Sequence, residues 1–157
     1  MPMFALLNRF RRDQRGLTQV ELAFILPIFL FILLIVIESA RVYYQASVIE
    51  RGLRAGTLFA ARSEQPLSAD SQTMVENLVK RGAASSSEPY LVAGWNKAGA
   101  DYSLTTSNYD LSGTPVPVIR IVATVPFDAL FPDLLTFFGL NQTMQIQLAH
   151  EQSYVDD

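Results

Sequence analysis

One stretch limits what this chain can fold into more than any other. From Leu22 to Ile37 it reads sixteen residues without a polar side chain, Pro27 among them. A helix apolar on every side is read as a single membrane anchor rather than as a buried helix of a soluble protein. At ~1.5 Å per residue the run covers roughly 24 Å. A bilayer core is about 30 Å thick, so the flanks must share the membrane edge, and the span extends over about residues 20–40.

The flanks give the span a direction. Arg9, Arg11, Arg12 and Arg15 precede it, opposed only by Asp13. The positive-inside rule keeps residues 1–15 in the cytoplasm and sends the rest across the membrane. A cleaved secretory signal is disfavoured, because Glu38-Ser39-Ala40-Arg41 offers no small-residue cleavage pattern after the run. Charge divides the chain in the same way. Residues 1–63 carry eight basic and four acidic side chains, a net of +4, and residues 64–157 carry four and eleven, a net of -7. The overall -3 argues against a general nucleic-acid binder.

Several chemistries are excluded by composition. With no cysteine there is no disulfide scaffold, thiol nucleophile, thiolate zinc site or thioether lipid anchor. The single histidine, His150, rules out a two-histidine metal site and is read as a strand residue rather than a catalyst. No P-loop, G-x-S-x-G, H-E-x-x-H, EF-hand or dinucleotide-binding motif occurs. Asp128, Asp133 and the Asp156-Asp157 tail are read as solvated charges rather than calcium ligands. Asn141-Gln142-Thr143 is a glycosylation sequon that also suits a plain turn. An enzyme is not expected, nor a cofactor or a metal.

The approach to the span is Arg15-Gly16-Leu17-Thr18-Gln19-Val20-Glu21. A carboxylate carried to the bilayer centre costs about 2.5 kcal/mol or more. Glu21 either marks the end of the span or has a charged partner within the membrane. Prepilin peptidases cut after a glycine that follows a short basic leader, and the fifth residue of their product is usually glutamate. Cutting after Gly16 makes Leu17 the first residue and Glu21 the fifth. The new Leu17 amino group is then a cation in a low-dielectric helix bundle. Pairing it with Glu21 of a neighbouring subunit offsets two desolvation costs together.

On these residues the chain resembles the TadE-like minor pilins of tight-adherence (Tad, Flp-type) pili. The resemblance covers residues 15–62: a glycine, Val20-Glu21, an apolar run holding Pro27, Ile37-Glu38, Arg41, and the small-residue stretch Arg51-Gly52-Leu53-Arg54-Ala55-Gly56. Leu22 stands where the family commonly has an aromatic, and beyond residue 63 the likeness is diffuse. The resemblance implies processing at Gly16 and Leu17 by a prepilin peptidase, and recognition or assembly roles for Glu21, Pro27, Glu38 and Arg41. It implies other pilin and pseudopilin subunits and the inner-membrane pilus assembly platform as partners, with the head periplasmic until it reaches a surface pilus active in adhesion and biofilm formation. A pilin-like fold follows from it too.

Beyond Ile37 the helical period continues, with Val42, Ala46, Ile49, Leu53 and Ala60 on one face. One helix is expected from about Thr18 to about Ser63, bent or kinked at Pro27. Glu38 and Arg41 stand three apart, so they either pair on one helix face or serve as interface anchors. Gly52 and Gly56 allow close approach of a helix, either from the chain's own domain or from another subunit. Pro66 ends the long helix, and residues 69–81 read as a short one. Strands are expected at Tyr90–Trp95, Tyr102–Thr106, Val116–Val125 and Thr143–Glu151. Phe127 to Gly139 has helical spacing and an aromatic surplus. It is read as a helix covering the sheet, the other reading being an exposed patch for a partner or the membrane surface.

The expected architecture is α+β: a leader at 1–16, a long, partly transmembrane helix at 17–63, and a small head with an antiparallel sheet at 64–157. Two functions fit. One is a minor pilin or pseudopilin, cleaved and assembled. The other is an uncleaved, single-pass anchored module that docks another envelope component.

Overall fold

A computed structural model describes residues 15–112, 114–137, 139 and 144–154. Residues 1–14 of the leader, the Asn141–Thr143 sequon and the Asp156-Asp157 tail lie outside the described residues. The chain divides into two compact units after Ser39.

The first unit contains the N-terminal part of one helix, α1 (Arg15–Ala61), with Pro27 inside it. The Leu22–Ile37 run leaves its bulky side chains open: Phe24 is 73% exposed and Ile28 63%. Such open apolar side chains are expected of a helix whose solvent is lipid.

The second unit takes in the rest of α1, followed by α2 (Ala69–Arg81), a short 3-10 turn at Ala93–Asn96, β1 (Asp101–Leu111), β2 (Thr114–Pro126), α3 (Pro132–Phe137) and β3 (Gln145–Ser153). The outer part of α1 therefore belongs to the head's core. Val48, Ile49, Leu53, Ala60 and Ala61 are buried there. They recur every three to four residues, the spacing of one helical stripe. Thr57 is buried among them and donates its hydroxyl to the Leu53 carbonyl at 2.9 Å, so the stripe carries no unmet polar group at that point.

Local chemistry sets the ends of α2. The Ser68 side chain accepts from the Ser71 N–H, and Gly82 takes φ 71° while its N–H reaches the Leu78 carbonyl. Both are standard solutions to the orphan groups of helix termini.

The three strands form one antiparallel sheet in the order β1-β2-β3. Alternation in β2 puts Ile119, Ile121, Ala123 and Val125 into the core. In β3, Ile146 is buried and Leu148 and His150 are half-buried, and the residues between them face out. A sheet covered on one face only is the usual antiparallel case. Pro115 and Pro117 lie before Val118, where pairing with β3 begins.

Two expectations about elements are corrected. Tyr90–Trp95 is not a strand. Leu91 donates to the Lys80 carbonyl, and the chain then turns through Ala93–Asn96. Gly94 lies against the Pro126 backbone so closely that a side chain there would collide with the Pro126 carbonyl. The helix expected from Phe127 starts only at Pro132. The residue before a proline is pushed out of the helical region, and proline suits the first helical position. Asp128 is also unavailable, because both its backbone groups are engaged by α1.

Candidate functional site: the N-terminal helix and its junction with the head

Gly16 and Leu17 lie in the first turn of α1. Glu21 is one turn further on, four residues from Leu17, and is exposed. Pro27 lies within the helix, among exposed apolar side chains.

Polar residues return at Glu38, Arg41 and Gln45, which share one stripe by their spacing of three and four. Glu38 is 5% exposed and Gln45 6%. Arg41 and Gln45 both bond to one residue of the loop after β2. Asp128 accepts at its backbone carbonyl from Arg41 Nη2 at 2.7 Å and from Gln45 Nε2 at 2.9 Å. Its backbone N–H donates to Gln45 Oε1 at 3.1 Å. Its carboxylate meets Arg41 Nη2 at 3.5 Å and Lys97 Nζ at 2.6 Å. Asp128 is therefore not a solvated charge, as its sequence context suggested, but the point where α1, the β2–α3 loop and the 3-10 turn are tied together. The reason is geometric: a residue just past a strand end has both backbone groups open, and Gln45 supplies one donor and one acceptor that match them.

Gly52 and Gly56 face α2. A Cβ on Gly52 would overlap the Val79 carbonyl, and one on Gly56 would come within 2.5 Å of Val79 Cγ2. In this chain the pair lets α1 and α2 approach each other.

A second cluster was not legible in the sequence. Lys80 Nζ pairs with Glu76 at 2.6 Å and lies 5.6 and 5.8 Å from the ring centres of Trp95 and Tyr102. The Trp95 indole N–H and the Tyr102 hydroxyl are buried without a hydrogen-bond partner. Burial, and then the nearby Glu76 charge, push the Tyr102 phenol well above its ordinary range. Nothing in this cluster is arranged as a catalytic pair, and among the described residues no three metal-ligating side chains converge. His150 sits half-buried on β3, and Asp133 is exposed on α3.

These features define a class. Among the described residues one helix is long and apolar enough to cross a membrane, and a small α+β head follows it in the chain. The N-terminal helix is similar to that of TadE-like proteins: the family model described as TadE-like protein matches residues 16–58, from Gly16 through Glu21, the apolar run and Gly56. No curated protein and no solved structure gives a significant match.

Proposed function

We propose that this chain is a minor pilin or pseudopilin of a Tad-type pilus. A prepilin peptidase cuts it between Gly16 and Leu17. It waits in the inner membrane with its head in the periplasm, then joins a filament through its N-terminal helix. Its work is structural and not catalytic. The observation that carries the reading is where the TadE-like match starts, at Gly16, with a glutamate at the fifth position of the resulting product. The exposed apolar surface of α1 supports it, since the same surface suits lipid before assembly and other helices after it. Glu21 provides the charge that the new Leu17 amino group of a neighbour needs inside such a bundle.

The test is the N-terminal mass of the protein from native membranes and from sheared surface filaments. A chain beginning at Leu17 in both fractions is the expected result. A processed chain confined to membranes points to an assembly factor that stays behind. A chain still carrying its leader in both fractions refutes the pilin reading in favour of an anchored docking module. Two substitutions sharpen the test. Replacing Gly16 by leucine should stop maturation, and Glu21→Ala should leave cleavage intact while impairing incorporation into filaments.

A further inference from the structure

Two features of the head carry charges of opposite sign, each beside apolar surface. The first is a groove of about 400 Å3 along the outer part of α1. Tyr44, Val48, Ala55 and Leu91 line it together with the bare backbone of Gly52, and Arg51 is its one charged lining residue. Arg51 is exposed and donates from Nε to the Ser47 carbonyl at 3.3 Å, one turn back on its own helix. The acid next to it, Glu50, is taken by Arg54 at 3.2 Å. Among the described residues Arg51 has no ion-pair partner.

The second feature is the outward side of α3. Leu135 is buried and holds this helix to the core. Asp133 and Phe137 stand four apart within α3, a spacing that makes them neighbours on the helix surface. Asp133 is exposed, and Phe137 is 75% exposed. Beyond Tyr44 no large apolar side chain among the described residues is more open. Asp133 also has no ion-pair partner among the described residues.

Each feature supplies what the other lacks. The groove offers apolar walls and a cation, and α3 offers an aromatic ring with a carboxylate one turn before it. A single chain does not bring them together, because Phe137 stays open and neither charge is paired. A second copy presents the same two surfaces. The other acid and apolar neighbours on a head helix, Asp70 and Met74 of α2, fit less well. Met74 is only 36% exposed, and Asp70 lies in the first turn of α2, where it already meets the positive end of its own helix.

We propose that α3 of one copy docks in the α1 groove of a second copy of this chain, with Phe137 against the apolar lining and Asp133 facing Arg51. The two surfaces differ, so the contact is heterologous and joins heads in an open, head-to-tail order. One ring and one exposed ion pair fall short of the roughly 1,000 Å2 of a stable interface. The contact is therefore weak and is read best by trapping it. The proposal needs neither cleavage at Gly16 nor a place in a filament, so it stands or falls apart from the pilin reading.

The chain has no cysteine, so single thiols can be placed at chosen positions. Full-length chains carrying Ala55→Cys in the groove are mixed with full-length chains carrying Thr136→Cys on α3. Both are reconstituted in phosphatidylethanolamine–phosphatidylglycerol vesicles and treated with a short bismaleimide. The expected product is the mixed dimer, in excess of either homodimer and of the dimer that Ala55→Cys forms with Tyr109→Cys on β1. Arg51→Glu in the groove chain should cut the mixed dimer about fivefold, and Phe137→Ala in the α3 chain about tenfold. Asp133→Arg in the α3 chain should then restore the yield lost to Arg51→Glu, a rescue that a misfolded groove would not show. A mixed dimer no more abundant than the Tyr109→Cys control overturns the proposal. So does a predominance of homodimers, the mark of an isologous contact. Failure of Asp133→Arg to rescue Arg51→Glu shows that the two charges do not meet and overturns it as well.

Discussion

The close contact between α1 and α2 can be tested by adding single carbons. Gly52→Ala and Gly56→Ala both place a methyl group between α1 and α2, but against different obstacles. At Gly52 the obstacle is the Val79 carbonyl oxygen, which cannot rotate away; at Gly56 it is the Val79 Cγ2 methyl. Helix propensity alone favours both substitutions by about 0.8–1 kcal/mol. Overpacking a tight contact costs about 1–3 kcal/mol. For Gly52 the cost wins, and the net loss should be about 1–2 kcal/mol. At about 4 °C per kcal/mol for a domain of this size, the midpoint falls by roughly 4–8 °C. Thermal unfolding of the full chain in detergent micelles, read from the fluorescence of buried Trp95, is a suitable assay. The decisive arm adds Val79→Ala. That change deletes Cγ2 and leaves the carbonyl, so it should relieve Gly56→Ala by about 1 kcal/mol of coupling and give Gly52→Ala no such relief. A rise of a few degrees for Gly52→Ala, the result propensity alone would give, refutes the close approach. Equal rescue of both variants refutes the assignment of the two obstacles.

Three further outcomes follow from the same structure. Gln45→Ala removes two hydrogen bonds from the Asp128 backbone and should cost about 1–2 kcal/mol; Gln45→Glu should cost more, because a carboxylate there faces the Asp128 carbonyl it can no longer donate to, and a shift in unfolding midpoint measures both. Tyr102→Phe should be neutral or stabilising by up to about 1 kcal/mol, since the hydroxyl it deletes is buried without a partner. Because the folded state holds the Tyr102 proton more tightly than the unfolded state, whose phenol has its ordinary value of 10.0, its contribution is complete below that value and is lost as pH climbs above it; the alkaline fall in stability should therefore be shallower in Tyr102→Phe, as an unfolding series against pH would show. Arg120→Ala should change stability by less than about 0.5 kcal/mol, because its pairing with Glu151 at 3.4 Å is exposed on both sides.

How much of this was readable in the sequence depended on whether the cause was local. The long helix, α2 and the last two strands follow from periodicity and caps carried by the residues themselves: the apolar run, Ser68 and Gly82, and the alternation from Ile119 to Val125 and from Ile146 to His150. β1 was only half legible. Its outer residues, Ser107 to Asp110, are polar and look like loop, yet they pair with Val118 to Pro115 across the hairpin. Tyr90–Trp95 misled because its aromatic and β-branched content suits a strand, while Gly94 answers to a distant backbone at Pro126. The Asp128 junction could not have been found by spacing. Its partners on α1 stand more than eighty residues away, and its grip on them depends largely on backbone groups that every residue has. The one available signal was negative: Gln45, a polar residue on the buried stripe of α1, had to find a donor and an acceptor somewhere.

That requirement accounts for the way the chain changes environment. A helix solvated by lipid has no preferred face, and Leu22–Ile37 has none. A helix packed on its own domain needs one, and from Gln45 to Ala61 α1 has it. Between the two lies the stripe of Glu38, Arg41 and Gln45, where the helix is already covered but its side chains are polar. Buried polar groups cost free energy unless they are bonded, so such a stripe is tolerated only if fixed partners meet it. The Asp128 backbone and carboxylate meet Arg41 and Gln45, and Lys97 balances the remaining charge. An apolar stripe at these positions would also have packed, but it would have extended the Leu22–Ile37 run by another two turns and left the end of the span undefined. Polar residues with dedicated partners set the end of the hydrophobic segment and hold the β2–α3 loop against the first covered turns of the helix. Both effects come from the same three bonds to one backbone.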